Sequence, residues 1–402
     1  MSRKMYTAIA AAMLLSIIFV SSMNTGAHAD AGYITIQSNG NIVPNNGIIR
    51  TNDNVTYTMQ RNTNMSIKVQ RSNTMLNGNG TVLTSGGQMI GISVEATNVT
   101  IFNVTVIGFN QGDSSGIACN SYTIVYNCTI RDNSNDISVL GVHDSIIYNN
   151  QLECLNGGQT GVWIADSHNI QIAWNKFISY GASSMIIYSD DTFIFRNNFT
   201  GPSFCSMNIH HPDDPWGHVE NHNVTRNIFL MQGPFNLDGV ARNNNIYHND
   251  FISSSMMIYN PQADRFNNFD KGYPSCGNYW SLHNLTDVKK GKYQNETGSD
   301  HIADSPYNVS FNGDGTPHDV DHYPLNITYL AYSDSVLVKY LNLSDVNDDS
   351  IVNMRDIAAA IYASGTKPGD AKWNWFADVN GDFRIDNADI TWIQQNFNKR
   401  FP

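Results

Sequence analysis

One short pattern of apolar and polar positions occurs seven times between residues 95 and 255. Each copy has an aliphatic residue, two variable residues, usually an asparagine, one more residue and a final apolar residue, as in IFNVTV, IYNNQL and IYHNDF. The final residues are Val106, Ile130, Leu152, Phe177, Phe199, Phe229 and Phe251, at intervals of 24, 22, 25, 22, 30 and 22. The aliphatic residues, five positions earlier, are Ile101, Val125, Ile147, Ile172, Ile194, Val224 and Ile246. The aliphatic residues and the final apolar residues therefore define the same register for the seven copies.

A repeat of about 22 residues built from short apolar segments is typical of a parallel β-helix. Each coil of such a solenoid buries its apolar face only against the coils above and below it. A leucine-rich repeat has a similar period, but its leucine framework is absent here. The sequence therefore predicts a mainly β fold with a parallel β-helix.

An asparagine stands two positions before the final residue in most copies. These residues are Asn150, Asn175, Asn197, Asn227 and Asn249. Asparagine tolerates the left-handed backbone of a sharp bend, and stacked amides can hydrogen-bond along the solenoid. The column therefore predicts a structural asparagine stack in which these residues themselves take the left-handed conformation.

The other two positions of the pattern are predicted to face outward. They hold aromatic residues, at Phe102, Tyr126, Tyr148, Phe195 and Tyr247, and a second group at Trp174, Arg196, Arg226 and His248. Rings beside cationic groups suit stacking on sugars and pairing with uronic or sulfated sugars. We therefore predict that the second group binds a polysaccharide or another glycan. The alternative is that the rings only stabilise the solenoid.

The single 30-residue interval contains the segment NIHHPDDPWGHVENH, from Asn208 to His222. Its candidate catalytic residues are His210, His211, Asp213, Asp214, His218 and Glu220. Such residues can hold a metal, act as a histidine base, or provide paired carboxylates for glycoside cleavage. The spacing selects none of these chemistries, and an ordered polar loop is the alternative.

Two twelve-residue segments near the C-terminus share one acidic layout. They are DVNDDSIVNMRD from Asp345 and DVNGDFRIDNAD from Asp378, 33 residues apart. Calcium takes six to eight oxygen ligands, which such a loop supplies from positions 1, 3, 5, 7, 9 and 12. The predicted ligands of two Ca²⁺ ions are Asp345, Asn347, Asp349, the Ile351 carbonyl, Asn353 and Asp356, and Asp378, Asn380, Asp382, the Arg384 carbonyl, Asp386 and Asp389.

A short helix is predicted after each of these loops. Ile357 and Ile361 are spaced to lie on one face after the first loop, as are Ile390, Ile393 and Phe397 after the second. The tandem resembles the type I dockerin over residues 345 to about 398. That resemblance implies calcium-dependent binding to a cohesin module on a scaffold or cell-surface protein.

The tandem departs from the dockerin pattern at loop position 6, where glycine is expected and Ser350 and Phe383 stand. A residue other than glycine there must accept an unfavourable turn geometry. Loop positions 10 and 11, which help to select the cohesin in that family, are Met354-Arg355 in the first unit and Asn387-Ala388 in the second. The two units are therefore not expected to bind interchangeably.

The first 330 residues resemble the NosD-like, or CASH-domain, β-helix proteins. The phrases that carry the resemblance include YITIQSNGNIVP near the start, GYPSCGNYWS from Gly272 and DHYPL from Asp321. The resemblance implies a right-handed β-helix with an irregular cap and a general link to carbohydrate binding or processing. In the cap we expect Asp314, Asp319 and Asp321 to be solvated, with a cation site as the alternative.

The N-terminus has the layout of an export signal. Arg3 and Lys4 precede an apolar stretch, and Ala27-His28-Ala29 offers a cleavage site. The mature protein is therefore predicted to be extracellular or attached to the cell surface, with no membrane span after cleavage. The formal net charge of -12 argues against nucleic acid as a partner. Five cysteines without CxxC spacing allow one disulfide at an unassigned pair.

The predicted organisation is a signal peptide at 1–29, a β-helix at 30–270, an irregular cap at 271–329, a linker at 330–344 and a dockerin-like module at 345–402. The predicted function is a secreted or cell-surface protein that binds or processes carbohydrate and is tethered through a dockerin–cohesin interaction. The alternative is a polysaccharide lyase, glycoside hydrolase or epimerase acting on acidic glycans.

Overall fold

The computed structural model describes residues 32–181, 183–202, 205–209, 219–231, 235–237, 241–252, 266–311, 315–329, 344–349 and 351–399. Within these ranges the chain is mainly β, with a solenoid of about seven turns followed by two short helices. The predicted fold class is therefore confirmed. The predicted signal peptide lies outside the described residues. None of the helices in these ranges is long and apolar enough to cross a membrane.

The solenoid has three faces of mostly parallel strands. The first face consists of Tyr33–Ile36, Ile42–Val43, Ser66–Val69, Ile90–Val94, Ser115–Cys119, Asn135–Leu140, Thr160–Ala165, Ser183–Tyr188, Cys205–Ile209 and Phe235–Leu237. The strands Thr74–Thr84 and Val99–Ile107 are long enough to contribute to both of the other faces.

The second face adds Ile49–Thr51, Thr56–Met59, Ile124–Tyr126, Ile146–Tyr148, Ile170–Ala173, Thr192–Phe195, Asn223–Thr225 and Asn245–Tyr247. The third adds Thr129–Arg131, Gln151–Cys154, Lys176–Ser179, Asn198–Gly201, Ile228–Met231, Asp250–Phe251 and Tyr279–Trp280. Three short pairs complete the β-structure: Val219–Glu220 with Ala241–Arg242, Lys289–Lys290 with Glu296–Thr297, and Tyr307–Asn308 with Val320–Asp321.

Both apolar columns of the repeat pair in the predicted register. Ile130 lies opposite Val106 and Leu152, and the pairing continues through Phe229 and Phe251. The residues of both columns are buried. The phenylalanine rings stack on one another, and the last, Phe251, stacks on Trp280 with the ring centroids 4.4 Å apart. Each coil therefore buries its side chains against its neighbours, as a solenoid requires.

The asparagine column forms a continuous ladder of hydrogen bonds. In each step the backbone N–H and the side-chain Nδ2 of one asparagine donate to Oδ1 of the next, at 2.9 to 3.0 Å from Asn150 to Asn278. All six residues are buried. The ladder satisfies polar groups that would otherwise be costly inside the solenoid, because no water reaches them.

The left-handed bend lies one residue before the ladder, so the prediction that the ladder asparagines themselves adopt it is wrong. The residues with positive φ, between 52° and 59°, are Asn149, Trp174, Arg196, Arg226 and His248. The bend turns the chain just ahead of each ladder residue. The ladder amide is thereby aimed along the solenoid axis rather than around the bend.

Two aspartates of the cap end ladders of this kind. Asp321 Oδ2 accepts from the backbone of Asn278 at 2.8 Å and from Trp280 Nε1 at 2.8 Å. Asp319 Oδ1 accepts from the backbone of Asn267 at 3.0 Å, at the end of a second, shorter ladder. Both aspartates are buried, so the expectation that they are solvated is wrong, whereas Asp314 lies outside the described residues. An aspartate suits this place because its side-chain oxygens supply the acceptor that the last amide of a ladder needs.

The C-terminal module contains two helices, α1 (Met354–Ala363) and α2 (Asn387–Gln395). Ile357 and Ile393 are buried in a small apolar core shared by the two halves. Ile361 is 55% exposed and Phe397 is 40% exposed, so they do not belong to that core as the helical spacing predicted.

Among the cysteines whose side chains the structure describes, Cys119, Cys128, Cys154 and Cys276 are unpaired. Burial raises the pKa of the Cys119 and Cys128 thiols to about 12. These two thiols therefore stay protonated and unreactive at neutral pH.

Candidate calcium loops and the adjoining face of the solenoid

The first acidic loop brings three carboxylates together. Oxygen atoms of Asp345, Asp349 and Asp356 all lie within 4.8 Å of one another, and Asp345 and Asp356 are buried. Asp356 also accepts backbone hydrogen bonds from Val346 at 2.8 Å and from Asn353 at 2.8 Å. Like charges this close repel one another strongly unless a cation lies between them. Carboxylate oxygens at this separation fit a hard cation such as Ca²⁺.

In the second loop the last aspartate is bonded as in the first, because Asp389 accepts from the backbone N–H groups of Val379 at 3.0 Å and of Asp386 at 2.9 Å. Burial and the neighbouring Asp389 carboxylate raise the pKa of Asp378 to about 6. Burial also raises the pKa of Asp389, with a contribution from Asp382. A bound divalent cation would offset these unfavourable terms, because it favours the ionised form of each carboxyl group.

Other predicted ligands have local roles in the structure. Asn353 and Asp386, at loop position 9, cap the two helices by accepting from the backbone N–H of Arg355 at 2.8 Å and of Ala388 at 2.7 Å. The Ile351 carbonyl accepts from Asn353 Nδ2 at 3.0 Å. Each loop is therefore fixed to the start of its own helix by a capping box.

Asn347 and Asn380, at loop position 3, donate through Nδ2 to Asp349 and Asp382 at 3.1 and 3.0 Å. The backbone N–H of Arg384 donates to Asp382 at 3.0 Å. In both loops the side chains at positions 3 and 5 therefore turn toward each other. Calcium bound here would be structural, because it would hold the loop and the first turn of the helix together.

The two helices present different exposed faces. On α1 the exposed residues are Met354, Arg355, Ala358, Ile361 and Tyr362, whereas the matching residues of α2 are Asn387, Ala388, Thr391, Gln394 and Gln395. Tyr362 is 66% exposed. The apolar stripe of the first unit therefore has no counterpart on the second unit.

Aromatic residues of the module pack against the outward face of the solenoid. Trp375 is buried, and its Nε1 donates to Gln171 Oε1 at 2.8 Å. The Phe376 ring lies 5.0 Å from that of Phe195, and the Phe383 ring lies 5.1 Å from that of Tyr148. We call this contact region of the solenoid the docking face, defined by Tyr148, Gln171, Trp174, Phe195, Arg226 and Lys271.

The polar part of the docking face centres on Asp348 of the first loop. Its carboxylate lies 2.6 Å from Lys271 Nζ and 3.6 Å from Arg226. Lys271 Nζ also donates to the Asp348 carbonyl at 2.8 Å. Burial opposes ionisation, but the charges of Arg226 and Lys271 and the hydrogen bond from Lys271 hold the pKa of Asp348 below its usual value. The aspartate therefore carries its charge at this contact.

The predicted glycan-binding residues occupy the same position in successive coils, and the structure covers most of them. Arg226 and His248 are buried, while Trp174 and Arg196 are half-buried. The Arg226 guanidinium lies 4.8 Å from the Phe376 ring of the module, and His248 stacks on Tyr329 at 4.8 Å. Burial lowers the pKa of His248 to about 4, so the ring is neutral. In this arrangement a sugar cannot reach Arg226 or His248.

Of the candidate catalytic residues only Glu220 lies within the described residues, whereas His210, His211, Asp213, Asp214 and His218 lie outside them. Glu220 Oε2 accepts from Arg242 Nε at 2.7 Å. His222, from the same segment, is buried, and its Nδ1 accepts from the backbone of Thr192 at 3.1 Å. Burial lowers the pKa of His222 to about 4. His222 is therefore a neutral structural residue.

The part of the site that the sequence analysis missed is the segment Trp373-Asn374-Trp375-Phe376. It lies between the two loops and belongs to no motif. The available signal was the concentration of aromatic residues in an otherwise polar connection.

Comparisons with known proteins agree with this two-part architecture. Residues 343–398 match the family model described as the dockerin type I domain. The chain is thus a β-solenoid protein that carries a dockerin type I domain at its C-terminal end. No curated protein matches the chain at a significant level.

Among solved structures, the proteins to which the chain is similar include the following three. One is a mutant tailspike protein of E. coli bacteriophage HK620 in complex with a pentasaccharide, at 15% identity and a TM-score of 0.34, covering 52% of this chain and 45% of that chain. The Dettilon tailspike protein shows 12% identity and a TM-score of 0.35, covering 53% and 59%. The ORF18 protein of Geobacillus virus E2 is 13% identical in sequence with a TM-score of 0.31, and the match covers 54% of this chain and 50% of that protein. The match spans about half the length of these proteins. The NosD-like resemblance stays a prediction.

Proposed function

We propose that this protein is exported and held outside the cell by a cohesin-bearing partner, which binds its calcium-loaded C-terminal module. The observation that carries the proposal is the exposed apolar stripe on α1. Met354, Ile361 and Tyr362 point away from the module core, while the loops of the module face the solenoid. An apolar stripe on a helix held in place by a metal suits a protein partner, because its burial is favourable. The export signal and the domain boundaries given above are part of this proposal.

The test measures binding of the full chain to a panel of type I cohesins in the presence of calcium. Replacement of Ile361 by Asp or of Tyr362 by Ala should weaken binding at least about tenfold, since each removes apolar contact area or places a charge within it. Gln394→Asp and Gln395→Ala change the matching positions of α2 and serve as controls that should bind normally. Equal losses in both sets, or no binding by the unmodified chain, would refute the α1 interface.

Carbohydrate binding by the solenoid is the second part of the proposal. The rings and cations at Trp174, Arg196, Arg226 and His248 suit an acidic glycan, and the docked module covers Trp174 and Arg226 of this group. We therefore expect the full chain to bind polygalacturonate after calcium is chelated and not in its presence. Absence of binding in both conditions, measured by affinity electrophoresis, contradicts a glycan role for this group.

The alternative of a polysaccharide lyase, glycoside hydrolase or epimerase depends on the segment from Asn208 to His222. Its one described candidate, Glu220, already pairs with Arg242. The test compares the unmodified chain with His211→Ala and Asp214→Ala variants on pectin and alginate. Turnover that these changes abolish supports the enzyme, and absence of turnover by the unmodified chain counts against it.

A further inference from the structure

The parts of the module that approach the docking face include both calcium loops. Asp348 stands at position 4 of the first loop, and Gly381 and Phe383 stand at positions 4 and 6 of the second. All three have positive φ, of 58°, 74° and 63°. Positive φ angles at these positions produce the tight turn of each loop. These residues therefore keep their positions only while the loops are folded.

Phe383 and Gly381 connect a calcium ligand directly to the solenoid. The backbone N–H groups of both residues donate to the carboxylate of Asp378, at 3.2 and 2.9 Å. The Phe383 ring packs edge-on against Trp174 at 6.0 Å, and a Cβ on Gly381 would lie 2.8 Å from the Trp174 ring. A change in the conformation of the Asp378 loop would therefore move the residues that contact Trp174.

Asp348 makes the same connection in the first loop. It lies between the predicted ligands Asn347 and Asp349, and its side chain is 10% exposed. Its partners Lys271 and Arg226 belong to the solenoid. The loop must be wrapped for the carbonyl and the carboxylate of Asp348 to reach Lys271 Nζ together.

The coils of the solenoid beneath the module have large side chains at the left-handed backbone position. At the left-handed position the earlier coils have Asn103, Asn127 and Asn149, whereas the next coils have Trp174, Arg196, Arg226 and His248. Asparagine accepts this backbone readily, and large side chains do so at a cost in free energy. The replaced positions include Trp174 and Arg226, which touch the module. The large side chains thus coincide with the docking face.

We propose that the two calcium loops are themselves the surface with which the module docks on the solenoid, so that calcium binding and docking stabilise each other. The inference rests on the calcium loading in the proposed function. By linkage, a contact that favours the wrapped loop raises calcium affinity, and calcium raises the affinity of docking by the same factor. Loss of calcium then releases the module and uncovers Trp174 and Arg226.

One electrostatic effect opposes this coupling. Arg226 and Lys271 repel a bound cation, which would favour docking of the calcium-free form. Asp348 is not a predicted ligand, and it already pairs with both cations. This single negative charge compensates half of their combined positive charge, and we expect the wrapping of the loops to outweigh the repulsion that remains. The α1 stripe stays exposed in the docked arrangement, so a docked module can still bind a cohesin.

The test is calcium titration of the full chain by calorimetry, with variants on the solenoid that touch no calcium ligand. Lys271→Ala and Trp174→Ala should each weaken calcium binding about tenfold through coupling. Lys289→Ala changes an exposed lysine of the cap and should bind calcium like the unmodified chain. Small-angle scattering should show a larger radius of gyration after chelation for the unmodified chain, and already in calcium for Trp174→Ala. Circular dichroism checks that the solenoid of each variant is folded.

The outcomes separate this inference from the proposed function. Calcium binding that is equal or tighter in both solenoid variants overturns the coupling and leaves calcium-dependent cohesin binding intact. Absence of calcium binding in the unmodified chain overturns both. A compact chain after chelation also overturns the coupling, because docking would then be independent of the ion.

Discussion

In the solenoid, buried amides bind one another, whereas in the C-terminal module buried carboxylates crowd together. The ladder from Asn150 to Asn278 pairs every donor with an acceptor of the neighbouring coil. The module instead places Asp345, Asp349 and Asp356 within 4.8 Å of one another. The first arrangement is complete within the chain, and the second needs a cation. The solenoid is therefore stable without a ligand, whereas the stability of the module depends on a bound cation, although the two regions are in contact.

Chelation of calcium should have the largest effect, and it should destabilise the module while leaving the solenoid folded. With EGTA we expect α1 and α2 to lose their protection from hydrogen exchange, because the carboxylates of both loops then repel one another without compensation. Amides of the ladder, such as that of Asn197, should keep theirs. Hydrogen exchange followed by mass spectrometry measures both regions in one sample, and unchanged protection of α1 and α2 contradicts the calcium assignment.

The cap should show the next largest effect, as a dependence on pH. Burial raises the pKa of Asp321 to about 7. A raised pKa favours the protonated folded form, so stability is full below about pH 4 and is lost as pH rises toward 7. The difference between a pKa of about 7 in the folded chain and about 4 in the unfolded chain corresponds to roughly 4 kcal/mol of the free energy of unfolding.

The measurement is denaturant unfolding of the solenoid between pH 4 and 7, with the Asp321→Asn variant for comparison. The variant lacks the ionisable group, so its stability should fall less over this range. Parallel curves for the two proteins would show that Asp321 does not titrate there.

A break in the ladder should cost less than the full ionisation of Asp321. Asn197→Ala removes the acceptor of the buried Asn175 backbone N–H and should destabilise the solenoid by about 2–3 kcal/mol. Asn198→Ala changes the exposed neighbour and should be nearly neutral. Chemical denaturation in EGTA measures the solenoid without the contribution of the module. Equal stability of the two variants would mean that the ladder does not stabilise the coils.

The smallest effect is expected where the two regions meet. Gly381→Ala places a Cβ 2.8 Å from the Trp174 ring at a φ of 74°, so the docked module should lose about 1–2 kcal/mol. Gly365→Ala also has a positive φ but meets nothing within 4 Å, so it isolates the backbone cost. Thermal unfolding in calcium compares them. Combining Gly381→Ala with Trp174→Ala should remove the excess cost, and an additive result would exclude the contact as its cause.

The register of the coils is predictable from the sequence because every coil meets the same two demands. An apolar residue must point inward, and an asparagine amide must reach the next coil. Asn278 obeys the rule as well, since Trp280 stands two residues later and pairs with Phe251. The calcium loops are predictable for a similar reason, because the ligand oxygens of one ion come from one short segment.

The docking face is not predictable from these local patterns. Gln171 and Trp375 are 204 positions apart, and nothing near either residue specifies the other. The outward-facing rings and arginines look alike whether they meet sugars or another part of the chain. The buried state of Asp319 and Asp321 also escapes the sequence, because an aspartate that ends an amide ladder resembles one in a solvated loop. The exposure of Ile361 follows from the small size of the module core.

The ladder fixes the register of a coil without fixing its length. The step from Asn197 to Asn227 spans 30 residues, and its hydrogen bonds are as short as those of the 22-residue step from Asn227 to Asn249. The ladder therefore tolerates steps of different length between its amides. We expect that peptide segments of other lengths can be grafted into such steps, so that the solenoid would carry recognition loops at defined heights along its axis.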